Sequence, residues 1–319
     1  MKSASTSSSL VRVRRIPVLP ARHSEGHKGD YGRVLVVGGS LGMAGAPALA
    51  GMAALRGGAG LVTIAVPACI LPTVAALCPC ATTIELPATS DGQIDPVACL
   101  KIFGRRSLLA RGGATPDALV VGPGLGLAPV PYGQQLWELI DAFREGGRCK
   151  AVVDADALNL AGLAGGSAPE NWDCREHWST VVTPHPGEMA RLHGATTREV
   201  QADREGFAVR TARLLNARQP EAKCLSVVVL KGAGTVVTDG RRIYVNKTGN
   251  PGMATGGSGD VLSGVIAAAM GQGLDCFDAA VFGVQVHGRA GDLAVKVKGQ
   301  ASLIATDIIE ALPAAMKGS

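Results

Sequence analysis

In NPGMATGGSGDVLSG, residues 250–264, one acid, Asp260, follows a cluster of glycines at the head of an apolar run. The run SGDVLSGVIAAAMGQG, residues 258–273, reads as a helix, and the first backbone N–H groups of a helix have no partner within it. With the aligned peptide dipoles they form an anion seat. Gly256, Gly257, Ser258 and Gly259 leave that seat open, since none carries more than a hydroxymethyl group. A phosphoryl group would rest directly on the backbone there. Asp260, in the first turn, would take the proton from a hydroxyl attacking its phosphorus. The pattern joins anion stabilisation to general-base catalysis. A helix start with one favourable acid is the plainer reading, and the density of glycine around that acid favours the chemistry.

Such a seat works only if other elements bring a donor and an acceptor to it. RVLVVGG (33–39), LVTIAVP (61–67), DALVVGPGLG (117–126), KAVVDADALNL (150–160) and STVVTPHPGEMARL (179–192) begin as strands, and SVVVLKGAGTVVTDGRRIYVN (226–246) reads as a strand and a hairpin. Helices are predicted over 46–58, 132–147, 258–273, 276–295 and 306–316, with a polar loop over 163–178. Continuous apolar strands alternating with helices predict an α/β fold with a mostly parallel central sheet and helices on both faces. Four strands end in GGSLGMAGA, GPGLG, TPHPGE and LKGAGT. Ligands of an open parallel sheet bind beyond the carboxyl ends of its strands, so these turns predict one composite site.

Composition excludes several classes. The net charge of +5 comes from Lys2, Arg12, Arg14, Arg15 and Arg22, in an acid-free stretch of 24 residues; the remainder is formally neutral. That is no basic face for nucleic acid. Residues 1–24, with SASTSSS and VRVRR, read as a disordered basic tail, and an organelle transit peptide is the alternative. Residues 25–319 read as one domain, with the fold beginning near Arg33. Residues 34–84 hold one charge, Arg56, but glycine and proline cut them into lengths too short for a membrane span. The eight cysteines show no C-x-x-C, and most read as small buried hydrophobes in a reducing cytosol. No G-x-G-x-x-G and no Gly-Lys pair occurs, which excludes the dinucleotide fingerprint and the P-loop.

GGSGD resembles the G-x-G-D anion hole of ribokinase-like proteins. HKGDYGRVLVVGGSLGMAGAPALAGMAALRGGAGLVT, VVGPGLG, VVDADALN, TPHPGEMARL, LKGAGT and TGNPGMATGGSGDVLSG, collinear over about residues 27–295, together resemble the NAD(P)H-hydrate dehydratase family. The resemblance implies a ribokinase-like fold and an activity. Such enzymes use ADP or ATP, with Mg2+, to phosphorylate the ring hydroxyl of the S epimer of hydrated NADH or NADPH. Phosphate then leaves and the ring double bond returns.

The resemblance also implies roles for individual residues. Asp260 would deprotonate the hydroxyl, and Gly257 and Ser258 would support the phosphoryl seat. Ala46, Gly124 or Gly126, and His185 match positions that contact the hydrated dinucleotide. Lys231, Gly232, Ala233, Gly234, Thr235 and Gly259 match the adenine-nucleotide site. Asn159 and Glu188 would line the same cleft, with Glu188 resembling the acid that organises magnesium. Taken alone, His185 would be a turn histidine and Lys231 a strand-end surface charge. GGSGD stands where AGTGD is commoner, which keeps the hydroxyl and the small size. A homo-oligomer is implied, and so is a separate epimerase partner, since 24 residues cannot hold an epimerase domain. The alternatives are a thiazole or hydroxymethylpyrimidine kinase of the same fold, or a non-catalytic nucleotide sensor, which would have no need of Asp260.

Overall fold

The chain was examined as a computed structural model that describes residues 10–107, 115–126, 135, 138–140, 142, 149–160, 179–217 and 225–317. The expected loop 163–178, most of the expected helix 132–147, Cys174, Cys224 and residues 1–9 lie outside the described residues.

Ten strands form one sheet: β1 Val11–Arg12, β2 Arg33–Val37, β3 Leu61–Pro67, β4 Thr82–Leu86, β5 Ala118–Val121, β6 Lys150–Val153, β7 Thr180–Val182, β8 Val227–Leu230, β9 Val236–Thr238 and β10 Arg242–Val245. Their order is β1-β10-β9-β8-β7-β6-β5-β2-β3-β4. Every pairing from β8 to β4 is parallel; only β9 runs against its neighbours, as the middle of the expected strand-and-hairpin. The central strands are apolar throughout because both faces are covered. Val36, Val120, Val152 and Val229 face one core, with the helices Gly45–Arg56, Ser258–Gly271, Cys276–Lys298 and Ala305–Met316. Val37, Val121, Val153 and Val228 face the other, with Met189, Ala208 and Ala212.

The glycine-rich composition has a packing consequence. A Cβ at Gly264, in the helix Ser258–Gly271, would collide with the Ala50 carbonyl of the helix Gly45–Arg56. The two helices thus lie backbone to backbone, and this fixes where the Ser258 helix ends. Among the described residues no helix is long and apolar enough to cross a membrane.

β2, β5, β6, β7 and β8 are adjacent and parallel, so their carboxyl ends share one edge of the sheet. Register keeps the ends level: Val37 pairs with Val121, Val121 with Val153 and Val153 with Val182. The ladder continues one step past the strands, with Asp154 N donating to Val121 O (3.0 Å), Thr183 N to Val153 O (3.1 Å) and Lys231 N to Pro184 O (2.9 Å).

Residues 10–24, expected within a free tail, are folded instead. Val11 and Arg12 pair in parallel with Arg242 and Ile243 of β10. Val13, Ile16 and Leu19 pack on the first core. Arg12 makes two hydrogen bonds to Glu205, and Arg22 donates to Gly58 O and stacks on Tyr31. Two of the positive charges that made the stretch look like a tail, Arg12 and Arg22, find partners in the folded body, which local composition cannot show. Deleting residues 1–24 therefore exposes apolar surface worth about 2–4 kcal/mol. Calorimetry of the truncated chain is expected to show a melting temperature lower by roughly 5 °C or more.

Candidate functional site

The level strand ends set Asp154 and Lys231 side by side. Lys231 Nζ is 2.5 Å from Asp154 Oδ1. The Asp154 carboxylate, 1% exposed, also receives the Ser263 hydroxyl at 2.6 Å on Oδ2 and the Ala155 N–H at 2.9 Å on Oδ1. Ala155 holds φ at +49°, the one non-glycine left-handed residue among those described, a conformation that costs about 1–2 kcal/mol. It separates two acids with different tasks: Asp154 pairs with Lys231, while Asp156 accepts from Gly126 N at 2.9 Å and holds the GPGLG turn.

The GGSGD segment forms the expected helix start. Gly257 is the N-cap residue at φ +86°, and the helix runs Ser258–Gly271 with Asp260 in its first turn. A Cβ on Gly257 would come within 2.5 Å of Leu49 Cδ1 and 3.0 Å of Ala305 Cβ, so glycine is required there for both conformation and space. A Cβ on Gly259 would lie 3.5 Å from Lys231 Nζ and 3.7 Å from Asp154 Oδ2. The open helix end therefore faces the ammonium group. Ser258 Oγ is 3.4 Å from Nε2 of His287, a buried ring held neutral, its pKa pushed down to about 4 by burial.

The electrostatics follow from one largely buried cation among several acids. Burial works against the charge of Lys231, but Asp154, Glu188 and Asp260 more than offset it and hold its pKa above the usual lysine value. For Asp154 burial acts in the opposite sense, and Lys231 with the hydroxyls of Ser263 and Thr183 holds its pKa below the usual carboxylate value. Asp260 is pushed up to about 7, first by burial and then by Asp154 and Asp156, with Lys231 opposing. A carboxylate poised near neutrality suits a general base.

TPHPGE folds as a capping box. His185 Nδ1 accepts from Gly187 N (3.0 Å) and Glu188 N (3.1 Å), while Glu188 Oε2 accepts from His185 N at 2.7 Å. The other oxygen, Oε1, lies 3.3 Å from His185 Nε2. Glu188 Oε2 is thus committed to the turn, and burial raises the pKa of this carboxyl. The magnesium role expected for Glu188 rests on the family resemblance. Among the described residues no group of three or more His, Cys, Asp or Glu side chains is placed to hold a metal ion. A magnesium ion carried on nucleotide phosphates keeps its waters and needs no such group.

A cavity of about 620 Å³ opens at this edge. Lys231, Gly232, Ala233, Gly234 and Thr235 form one wall, Ser258 and Gly259 another, and His185 stands at its margin. The sequence-derived nucleotide residues are therefore brought together. Ala46, Gly124 and Gly126 do not line this cavity but meet beside it. A Cβ on Gly124 would lie 3.1 Å from Ala46 Cβ, and Ser40 Oγ, 2.9 Å from Gly124 O, ties the two loops together. Asn159 and Glu188 do not line it either: Asn159 accepts from Arg191 Nη2 at 3.3 Å.

Sequence reasoning missed Asp154, Ser263 and the wall formed by Asn246, Lys247, Thr248, Gly249 and Asn250 with His287. Asp154 and Ser263 do lie within VVDADALN and GGSGDVLSG. The missing signal was their pairing across 109 residues of chain.

A family profile described as NAD(P)H-hydrate dehydratase matches residues 34–314. The chain is 35% identical over 305 residues to a protein of Neisseria meningitidis serogroup B named ADP-dependent (S)-NAD(P)H-hydrate dehydratase, covering 95% of this chain and 91% of that one. It is 43% identical over 297 residues to a Moorella thermoacetica protein named bifunctional NAD(P)H-hydrate repair enzyme Nnr, covering 92% of this chain and 51% of that one. The chain thus spans about half the length of the bifunctional relatives it matches. Among solved structures it is similar to the ADP/ATP-dependent NAD(P)H-hydrate dehydratase of Bacillus subtilis co-crystallised with ATP and Mg2+, at a TM-score of 0.74 and 28% identity over 94% of each chain. A ribokinase of Thermotoga maritima, at 16% identity and a TM-score of 0.50, shares the fold alone. With its strand-end turns, its glycine-lined helix start and its match to that profile over residues 34–314, the chain belongs to the NAD(P)H-hydrate dehydratase family, on a ribokinase-like α/β fold.

Proposed function

We propose that this chain returns the S epimer of hydrated NADH and NADPH to the reduced cofactor, consuming ADP or ATP. The observation that carries this reading is the meeting of Lys231 with the open helix start at the Lys231–Thr235 cavity, with Asp260 in the first turn of that helix and within the field of Lys231. The nucleotide enters that cavity with its magnesium ion on the phosphates, and its terminal phosphoryl group rests on the amides of Ser258 and Gly259. The hydrated ring approaches from the side of Ala46, Gly124 and Gly126. Asp260 removes the ring hydroxyl proton as the hydroxyl oxygen attacks phosphorus, and AMP or ADP leaves. Hydroxide is a poor leaving group; phosphate is a good one and departs with the C–O electron pair, after which loss of a ring proton restores the double bond. The R epimer would present its hydroxyl away from Asp260 and needs a separate epimerase. The same reading includes a homo-oligomer, as the family resemblance implies, and a cytosolic location, with an organelle as the alternative.

Incubation of the purified protein with the S hydrate of NADH is expected to restore reduced-nicotinamide absorbance only when ADP or ATP is present, with one nucleotide consumed per turnover. A stable phosphorylated product would point to the kinase reading, and repair without nucleotide would refute nucleotide dependence.

Two substitutions assign the parts. Asp260→Asn keeps size and removes the base, so turnover is expected to fall by roughly 10²–10⁴-fold, with nucleotide affinity nearly unchanged. Gly259→Val directs its side chain at the space before Lys231, and calorimetric titration with ADP is expected to show weakened nucleotide binding.

The base must be ionised to act, so activity is lost as pH falls. The acid limb of kcat/KM, which reports the free enzyme, is expected near pH 7, where Asp260 is set. A limb near pH 4, or an unchanged profile in Asp260→Asn, would remove Asp260 from the base role.

A further inference from the structure

The Asp154–Lys231 pair is used by the fold in an expensive way. Burying a carboxylate and an ammonium group together seldom improves on an apolar pair of similar volume, and the carboxylate here is 1% exposed. Its other partner comes from the catalytic helix. Ser263 Oγ is 2.6 Å from Asp154 Oδ2 and 3.1 Å from Gly259 O, one turn back at the anion seat. Lysine carries its charge on a flexible four-carbon stem. A lysine that must meet a phosphoryl group in flight gains from being held before it arrives. Lys231 Nζ and Asp154 Oδ2 bound the space beside Gly259, 3.5 and 3.7 Å from where a Cβ on that residue would lie, in the first turn of the helix.

We propose that Asp154 is a positioning residue for phosphoryl transfer: bridged to the catalytic helix by Ser263, it clamps the Lys231 ammonium group over the seat of the transferred phosphoryl group. This rests on the reading of the site given under Proposed function. The clamp has an electrostatic consequence for the base. The charged groups that face Asp260 are Asp154, Asp156 and Lys231. Asp154 favours the protonated form of Asp260, and by engaging Lys231 it also keeps that cation from pairing with Asp260. Loss of the Asp154 charge thus acts on the base and on the cation together.

The test compares Asp154→Asn, Ser263→Ala, Lys231→Met and the Asp154→Asn, Lys231→Met double variant by single-turnover repair, KM for ADP and the pH profile of kcat/KM. Asp154→Asn is expected to lower kcat by roughly 10–10³-fold and to move the acid limb to lower pH. Ser263→Ala keeps the charge and loosens the clamp, so a several-fold loss with the limb in place is expected. In the Lys231→Met background, adding Asp154→Asn is expected to cost little more, since the group it positions is gone. Equal losses in both backgrounds, or an unmoved acid limb in Asp154→Asn, would overturn the proposal. Should Asp154→Asn alone fail to fold, with Lys231 left buried and unpaired, wild-type kcat/KM in Ser263→Ala would overturn it. Absence of nucleotide-dependent repair in the wild-type chain would refute the underlying reading instead. The clamp would then be judged by infrared titration of the Asp260 carboxyl, identified by its loss in Asp260→Asn. A titration unmoved in the double variant relative to Lys231→Met would overturn the electrostatic part.

Discussion

A parallel ladder keeps its hydrogen bonds only while neighbouring strands stay in register, and here β2, β5, β6 and β7 stay in register to their last residue while β8 runs two residues further. β5, β6 and β7 end level, and the ladder bonds of Asp154, Thr183 and Lys231 continue past them. Asp154 and Lys231 hang from that edge. Lys231 and Asp154 lie 77 residues apart in the chain and meet because both are the first residue beyond a strand. A one-residue slip in either strand would turn its side chain to the opposite face and break the pair.

The second constraint is the close packing of the helices Gly45–Arg56 and Ser258–Gly271. Small residues let the two backbones touch at Gly264, which holds the start of the Ser258 helix against the edge where Lys231 emerges. The anion seat and the cation thus belong to different layers of the fold and are aligned by packing. The base stands between them. Its proton affinity reflects burial and three charged neighbours, so Asp260 reports on the whole edge rather than on its own helix.

Charge is distributed economically. One cation serves the interior of the site while Asp154, Asp260 and Glu188 surround it. Two of these acids are held by specific donors, Asp154 by Lys231 and Ser263 and Glu188 by the His185 turn. Asp260 has no such fixed partner among the described residues, and that leaves it the group free to exchange a proton near neutral pH.

Much of this was legible in the sequence. Alternating apolar strands and helices gave the parallel α/β class because period and length are local properties, and GGSGD marked a helix start because glycine density and one acid are local too. The KGAGT loop likewise lay where a strand had to end. What tertiary structure decided is of another kind. Glu188 is tied to its own turn, and only the three-dimensional path of TPHPGE shows its Oε2 accepting from the His185 N–H. Residues 10–24, read as a free tail, close the sheet, because Arg12 and Val13 find partners near residues 205 and 243. Asp154 and Ser263 sat unremarked inside quoted motifs, since a buried ion pair is a relation between distant residues and leaves no periodic trace. Residue types and spacing in one chain specify local conformation and chemical capacity. Which capacities are joined is decided by sheet register and helix packing, which bring together groups that the chain keeps far apart.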